Sequence, residues 1–443
     1  MLNRAWGPRL LVSAALGLMA AAGVRGAAQS AEPFVGTLDE HPAIGYATRA
    51  PADRVARLAQ ALEAGTRTLT RDAAVGYLPA VLDALGISVE SQLLVFSKTG
   101  VQRDFTGPQN PRALYFDDAV VVGYIRGAPL LEIAAHDPQQ GVMFYTLDQT
   151  ADASPLVRRT ECLTCHIAVS TLEVPGVIDR SHTVGTDGNV ITRLGVQAVT
   201  HQTPHPARWG GWFVTAEAAE APPYIQLGHM GNLTVTVRPD LGPAIYSNHV
   251  FIEWLNSAPE AHGYPLASSD IGSLLTFDHQ MHAINLLTRL NWEARIAASE
   301  GRGPATDAAL RRRVFELADY LLFVGEAPFA VAVAPRPAFA AHLASHVPAD
   351  ATGRSLGQLD LETRLLKYPC SYMVYSEAFE GLPAPVKDAV YRRMFDILSG
   401  RITGPAYEHL SAEDRRAVSE ILRETKPGLP ADLRTGGSRI PGR

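Results

Sequence analysis

The chain has 443 residues, 47% of them apolar, and a formal charge of −6. That balance provides for a large core divided among one to three domains, and excludes a nucleic-acid binder, which needs a basic surface. Only three cysteines are present, so no disulfide framework holds the fold.

The first thirty residues place Arg4 and Arg9 ahead of an apolar run, Leu10 to Ala22. Arg25 and small residues follow, with cleavage expected after Ala28 or Ser30. This is the layout of a secretory signal peptide. The run is shorter than the ~18–20 apolar residues that span a bilayer. The expectation is a protein that is periplasmic or otherwise exported, with no membrane span after signal cleavage. Removing the three arginines of this segment from a charge of −6 leaves −9.

Helical spacing of Val55, Leu58 and Leu62 predicts a helix over 52–64, and 73–85 reads as a second. Between about 92 and 148 the period changes. Short β-branched and aromatic runs, punctuated by Gly, Pro and Asp, predict an antiparallel meander. Residues 170–265 are rich in Gly, Pro, His and Trp. Long functional loops are expected there, with short strands at 212–216 and 233–237. From 268 the pattern is helical, over 268–300, 305–325, 359–368, 384–400 and 411–425. The predicted class is α+β, with N-terminal helices and a meander, a loop-rich middle and a mainly helical C-terminal half. The corresponding regions are 1–30 (signal peptide), 31–265, 266–426 and a disordered tail over 427–443.

Just after the predicted sheet stands Cys162-Leu163-Thr164-Cys165-His166. It reads C-x-x-C-H, the attachment sequence of a c-type haem. Two thiols add across the two porphyrin vinyl groups, and the two-residue gap lets both reach one edge of the macrocycle. His166 is then placed to bind the iron on one axial side. A zinc site, a thioredoxin-like redox pair and a plain disulfide are the rival readings. The first lacks a second Cys/His pair, the second lacks a following long helix, and the third closes a strained loop.

The motif resembles that of c-type cytochromes, and the resemblance is confined to Cys162–His166. It implies one haem c and redox chemistry, but not the small all-α cytochrome fold. Most of the remaining chain resembles a group of large exported bacterial proteins that carry a single haem motif. The stretches that carry this likeness are 208–215, 229–232, 277–289 and 353–376. It supports a haem protein and names no reaction.

The iron's other side has several candidates. His279 and His282 lie three apart on one helix, in a stripe with Leu275 and Leu286, and His279 is ranked first. His229, beside Met230, is second. His201 and His205 are expected in a solvated turn, and His182 is nearest the motif. Arg180, Arg193 and Arg208 are candidates to bind the haem propionates, since guanidinium matches a carboxylate fork. Trp209 and Trp212 would shield the porphyrin or anchor the core, and Cys370 reads as a buried, inert thiol. The expected function is electron transfer with a redox partner protein or a small redox substrate. The alternative is a monohaem enzyme acting on peroxide, oxygen or a small oxidisable substrate.

Overall fold

The computed structural model describes residues 37–215 and 263–434, apart from 153, 186, 267, 330 and 331. The expected signal peptide, the strand at 233–237 and His229 lie outside the described residues.

The fold is α+β, as the sequence predicts. Helix α1 (Arg54–Glu63) begins where the buried Asp53 carboxylate accepts from the backbone N–H of Val55 and Ala56, at 2.8 and 3.0 Å. This cap satisfies donors that have no partner within the helix. Helix α2 (Leu78–Leu85) is shorter than expected. Pro79 fits only the first turn of a helix, and residues 72–76 form a tight turn closed by a bridge between Asp72 and Gly76.

A six-stranded antiparallel meander follows in simple chain order: β1 (Leu93–Val95), β2 (Arg112–Phe116), β3 (Val120–Tyr124), β4 (Leu130–Asp137), β5 (Gly141–Asp148) and β6 (Leu156–Arg158). Strand β6 lies between the expected meander and the C-x-x-C-H motif. Alternation divides the sheet into two faces. Ala113, Tyr115, Val122, Ile133, Met143 and Tyr145 pack into one core with α1 and α2. Phe116, Val121 and Phe144 point the other way, into a core shared with the C-terminal helices.

The motif forms the one-turn helix α3 (Leu163–His166). A small two-stranded sheet follows, β7 (Arg180–His182) with β8 (Val196–Ala198). Trp212 forms an isolated bridge with Val95 where a strand is expected.

Helix α4 (Ile271–Ser299) is capped by Asp270, whose carboxylate accepts from the N–H of Ser273 at 3.0 Å. Of its 29 residues 22 are buried, so it has no continuous solvent face and acts as the central strut. Around it lie α5 (Ala308–Leu321), α6 (Pro337–His346), α7 (Glu377–Glu380), α8 (Ala384–Leu398), α9 (Ala412–Thr425) and α10 (Ala431–Arg434). Phe116 of the sheet meets Phe277 of α4 edge-on at 5.1 Å. The expected regions 31–265 and 266–426 therefore share one core.

Residues 359–368 are not the helix that the leucine spacing predicts. The Asp360 side chain accepts from the N–H of Glu362 and Thr363, at 2.7 and 2.9 Å, and Leu361 adopts φ 58°. Such a side-chain turn competes directly with helix formation. In the expected tail, Leu429 and Leu433 are buried and α10 is helical. Among the described residues no helix is long and apolar enough to cross a membrane.

Candidate functional site

The chain leaves β6 and turns through Thr160 and Glu161 into α3. The N–H groups of Cys165 and His166 both donate to the carbonyl of Cys162, at 3.1 and 3.0 Å. Positions i, i+3 and i+4 of a helical turn share a face, so Cys162, Cys165 and His166 do so here. Leu163, off that face, packs against both cores and fixes the turn to the body of the protein.

Cys162 is half-buried and Cys165 exposed; both are free thiols. Burial, and then the charge of Glu161, push the Cys162 thiol above its ordinary range. A redox-active C-x-x-C pair depends on a lowered thiol, which this environment does not give Cys162.

The His166 ring packs against Phe144 with centroids 4.5 Å apart. Its Nδ1 lies 2.8 Å from the carbonyl oxygen of Gly176. A carbonyl only accepts, so Nδ1 carries the proton. Nε2 has no hydrogen-bond partner among the described residues and is not sealed from solvent. Burial lowers the ring's pKa, and Arg180 and Arg112 lower it further, which keeps the imidazole neutral near pH 7. A neutral ring that donates through Nδ1 presents the Nε2 lone pair to a metal.

The loop 166–176 is held at both ends. Gly176 N–H donates back to the His166 carbonyl at 3.1 Å. On α4, the Asn285 amide accepts from Val177 N–H at 3.1 Å and donates to Val177 C=O at 2.9 Å. Arg289 donates to the Leu172 carbonyl at 2.7 Å. Position 176 has to be glycine, because a Cβ there would collide with Asn285 Oδ1.

Strand register aligns Phe116, Val121, Ala134 and Phe144 in one row across the sheet, on the face that meets His166. Ala134 and Leu114 on this face are half-exposed. A covalent haem needs two thiols on one face, a neutral imidazole beside them and an apolar surface to lie on. The residues present fit that group.

A cavity of about 410 Å³ opens beyond the loop. Its walls include Leu172, Val177, Asp179 and Arg180 on one side and Met281 and His282 of α4 on the other. Asp179, Met281 and Asn285 carry no motif, and only the packing of α4 on the loop brings them together.

The cavity reorders the distal candidates. His282 lines it and makes no side-chain hydrogen bond among the described residues, and burial lowers its pKa to about 4. His279, ranked first from sequence, does not line it. Its Nδ1 pairs with His201 Nδ1 at 2.7 Å and its Nε2 with Ser371 Oγ at 2.7 Å, so both ring nitrogens are engaged. Three residues along a helix turn a side chain by about 60° from its neighbour, enough to send one ring inward and the other to the cavity.

The remaining candidates divide in the same way. Arg208 is buried and donates to Asp278 at 2.9 Å and to the carbonyls of Thr203 and His201. It is committed to the interior and is not placed for a propionate. Arg193 is exposed, and Arg180 borders the cavity. His201 and His205 occupy a turn as expected but are buried, not solvated. His182, on β7, has its pKa lowered to about 4 by burial and then by Arg180. Trp209 donates its Nε1 to Asp278 at 3.0 Å and Trp212 donates to the Arg180 carbonyl at 2.9 Å; both anchor the core. Cys370 is fully buried, and burial raises its thiol strongly.

No protein-family model, no curated protein and no solved structure matches the chain.

Proposed function

We propose that this is an exported protein that carries one haem c, joined through Cys162 and Cys165 and held at the iron by His166, and that it takes part in electron transfer. The observation that carries the reading is the His166 Nδ1 contact with the Gly176 carbonyl at 2.8 Å, which leaves Nε2 without a partner among the described residues, on the same helical face as two thiols. Haem, when bound, supplies reversible one-electron exchange at its iron.

The residues of the chain do the rest. Gly176 and Asn285 orient the His166 ring. Phe144, Ala134 and Leu114 offer apolar surface. Exposure of Cys165 keeps the attached edge near solvent, where a redox partner protein or a small redox substrate would approach. Arg180, whose charge acts on His166, is the best placed of the three candidate arginines for a propionate.

The cavity walled by His282 and Asp179 favours a second reading, a monohaem enzyme with peroxide, oxygen or a small oxidisable molecule as its substrate. Visible spectra of the protein exported from a host with haem-attachment machinery distinguish the two. Haem that stays on the chain through denaturation is expected; its loss would sink both readings. A reduced low-spin spectrum unmoved by CO favours electron transfer, and a rapid shift with CO favours the enzyme.

A further inference from the structure

We infer that the 410 Å³ cavity between the 168–172 loop and α4 is a carboxylate site, with Arg180 holding the carboxylate and apolar walls holding the carbon skeleton attached to it. The inference does not depend on the haem reading.

Charge at the cavity wall carries the argument. Three lining residues are ionisable: Asp179, Arg180 and His282. Arg180 is half-buried, donates to Ser170 Oγ at 2.8 Å and forms no ion pair among the described residues. A partly desolvated guanidinium without a counter-ion calls for an anion, and its planar fork suits a carboxylate.

Asp179 does not neutralise it. Its side chain is buried, only 6% exposed, and its carboxyl pairs with that of Asp278. Beside it lies Asp278, which already engages the buried guanidinium of Arg208 at 2.9 Å. Two carboxyl groups and one guanidinium in a dry interior retain a proton. Burial, and then the charge of Asp278, raise Asp179 well above the usual carboxylate range. Its proton is held against Asp278, so Asp179 stays neutral and adds no negative charge to the wall. His282 is neutral near pH 7 because burial lowers its pKa to about 4. The wall therefore carries one net positive charge, that of Arg180.

Shape sets the rest of the ligand. Val177, Val199, Leu172 and Met281 provide apolar walls. At the mouth, Val169 and Val196 are 84% and 56% exposed, an uncommon degree for valines and one suited to an amphipathic guest. The chemistry fits a short aliphatic or aromatic monocarboxylate of propanoate to benzoate size. It fits equally the propionate arm of a haem held at the neighbouring motif, so the two sources must be separated.

The test uses the full-length exported protein. Binding of 4-fluorobenzoate and propanoate is followed by ¹⁹F NMR and equilibrium dialysis, with 4-fluorobenzamide as the uncharged control. One-to-one carboxylate binding, weakened at least tenfold in Arg180→Gln, partly restored in Arg180→Lys and unchanged in Arg193→Gln, establishes a site for a free acid. Absence of probe binding, with a haem-propionate infrared band that moves in Arg180→Gln and not in Arg193→Gln, assigns the site to the propionate. Amide binding equal to that of the acid, carboxylate binding indifferent to Arg180→Gln, or no effect in either arm overturns the inference.

Discussion

His166 and Gly176 are joined twice: Nδ1 of the ring donates to the Gly176 carbonyl at 2.8 Å, and Gly176 N–H returns a bond to the His166 carbonyl at 3.1 Å. The pair closes the loop after the motif into a rigid unit. It settles which ring nitrogen is protonated and which is left for a ligand, and α4 locks it through Asn285.

Replacing Cys162 and Cys165 with alanine is expected to abolish covalent haem. A haem stain of a denaturing gel is expected to be positive for the parent and blank for the double variant. Both chains are expected to have the same far-UV dichroism, because neither thiol lies in the core interior.

Asn285→Leu removes both bonds to Val177, whose N–H and C=O are left buried and unpaired. Unpaired buried groups cost roughly 1–3 kcal/mol each, so urea unfolding is expected to shift by a few kcal/mol. Because Asn285 also braces the Gly176 loop, the midpoint potential of the haem-bearing variant is expected to move. A stability loss with an unchanged potential would deny Asn285 any part in orienting His166.

His279 and His282 are expected to behave differently despite their spacing. His279→Ala removes the partner of His201 Nδ1 and one of the two partners of Ser371 Oγ, which keeps the Met373 N–H, and is expected to lose about 1–3 kcal/mol with its visible spectrum intact. His282→Ala removes no hydrogen bond among the described residues but opens the cavity wall. It is expected to leave stability nearly unchanged and to alter the spectrum or the rate of CO binding. The reverse pattern would return the distal role to His279.

Asp179 makes stability depend on pH in a definite direction. Its folded pKa is raised above the ordinary value of 3.8. The stability it contributes is therefore fully present below that value and is lost as pH rises through the folded pKa. Asp179→Asn removes this dependence. The stability difference, variant minus parent, is expected to grow in the variant's favour between pH 4 and pH 8 in urea titrations. A flat difference would mean that Asp179 is ionised in the folded protein.

The buried histidines act in the opposite sense. Burial lowers His136 and His282 to about 4 and His279 to about 3. Their contribution is present above the unfolded value near 6.5 and is lost as pH falls through the folded ones. Stability is expected to decline steadily from pH 6.5 towards pH 4, and His136→Gln is expected to reduce the slope.

The motif, the meander and the long helix were legible in the sequence because each is a local pattern. C-x-x-C-H is a matter of spacing along one turn, strand alternation follows the pleat, and Ile271–Ser299 carries its own cap at Asp270. Where local cues compete, the pattern misleads. Leucine spacing over 359–368 is helical, yet the Asp360 side chain captures the backbone N–H groups that a helix would need.

The surroundings of the motif were decided by tertiary structure alone. No local signal says that His279 spends both nitrogens on His201 and Ser371, or that Arg208 is bound to Asp278, since these partners lie 70 to 92 positions apart in the chain. The same holds for the cavity, where Asp179 and Arg180 meet His282 only because α4 packs against the loop after His166. Sequence by itself determined which residues are chemically competent; packing determined which of them keep a free lone pair, an unpaired charge or a buried proton, because those states depend on what lies across space from each group.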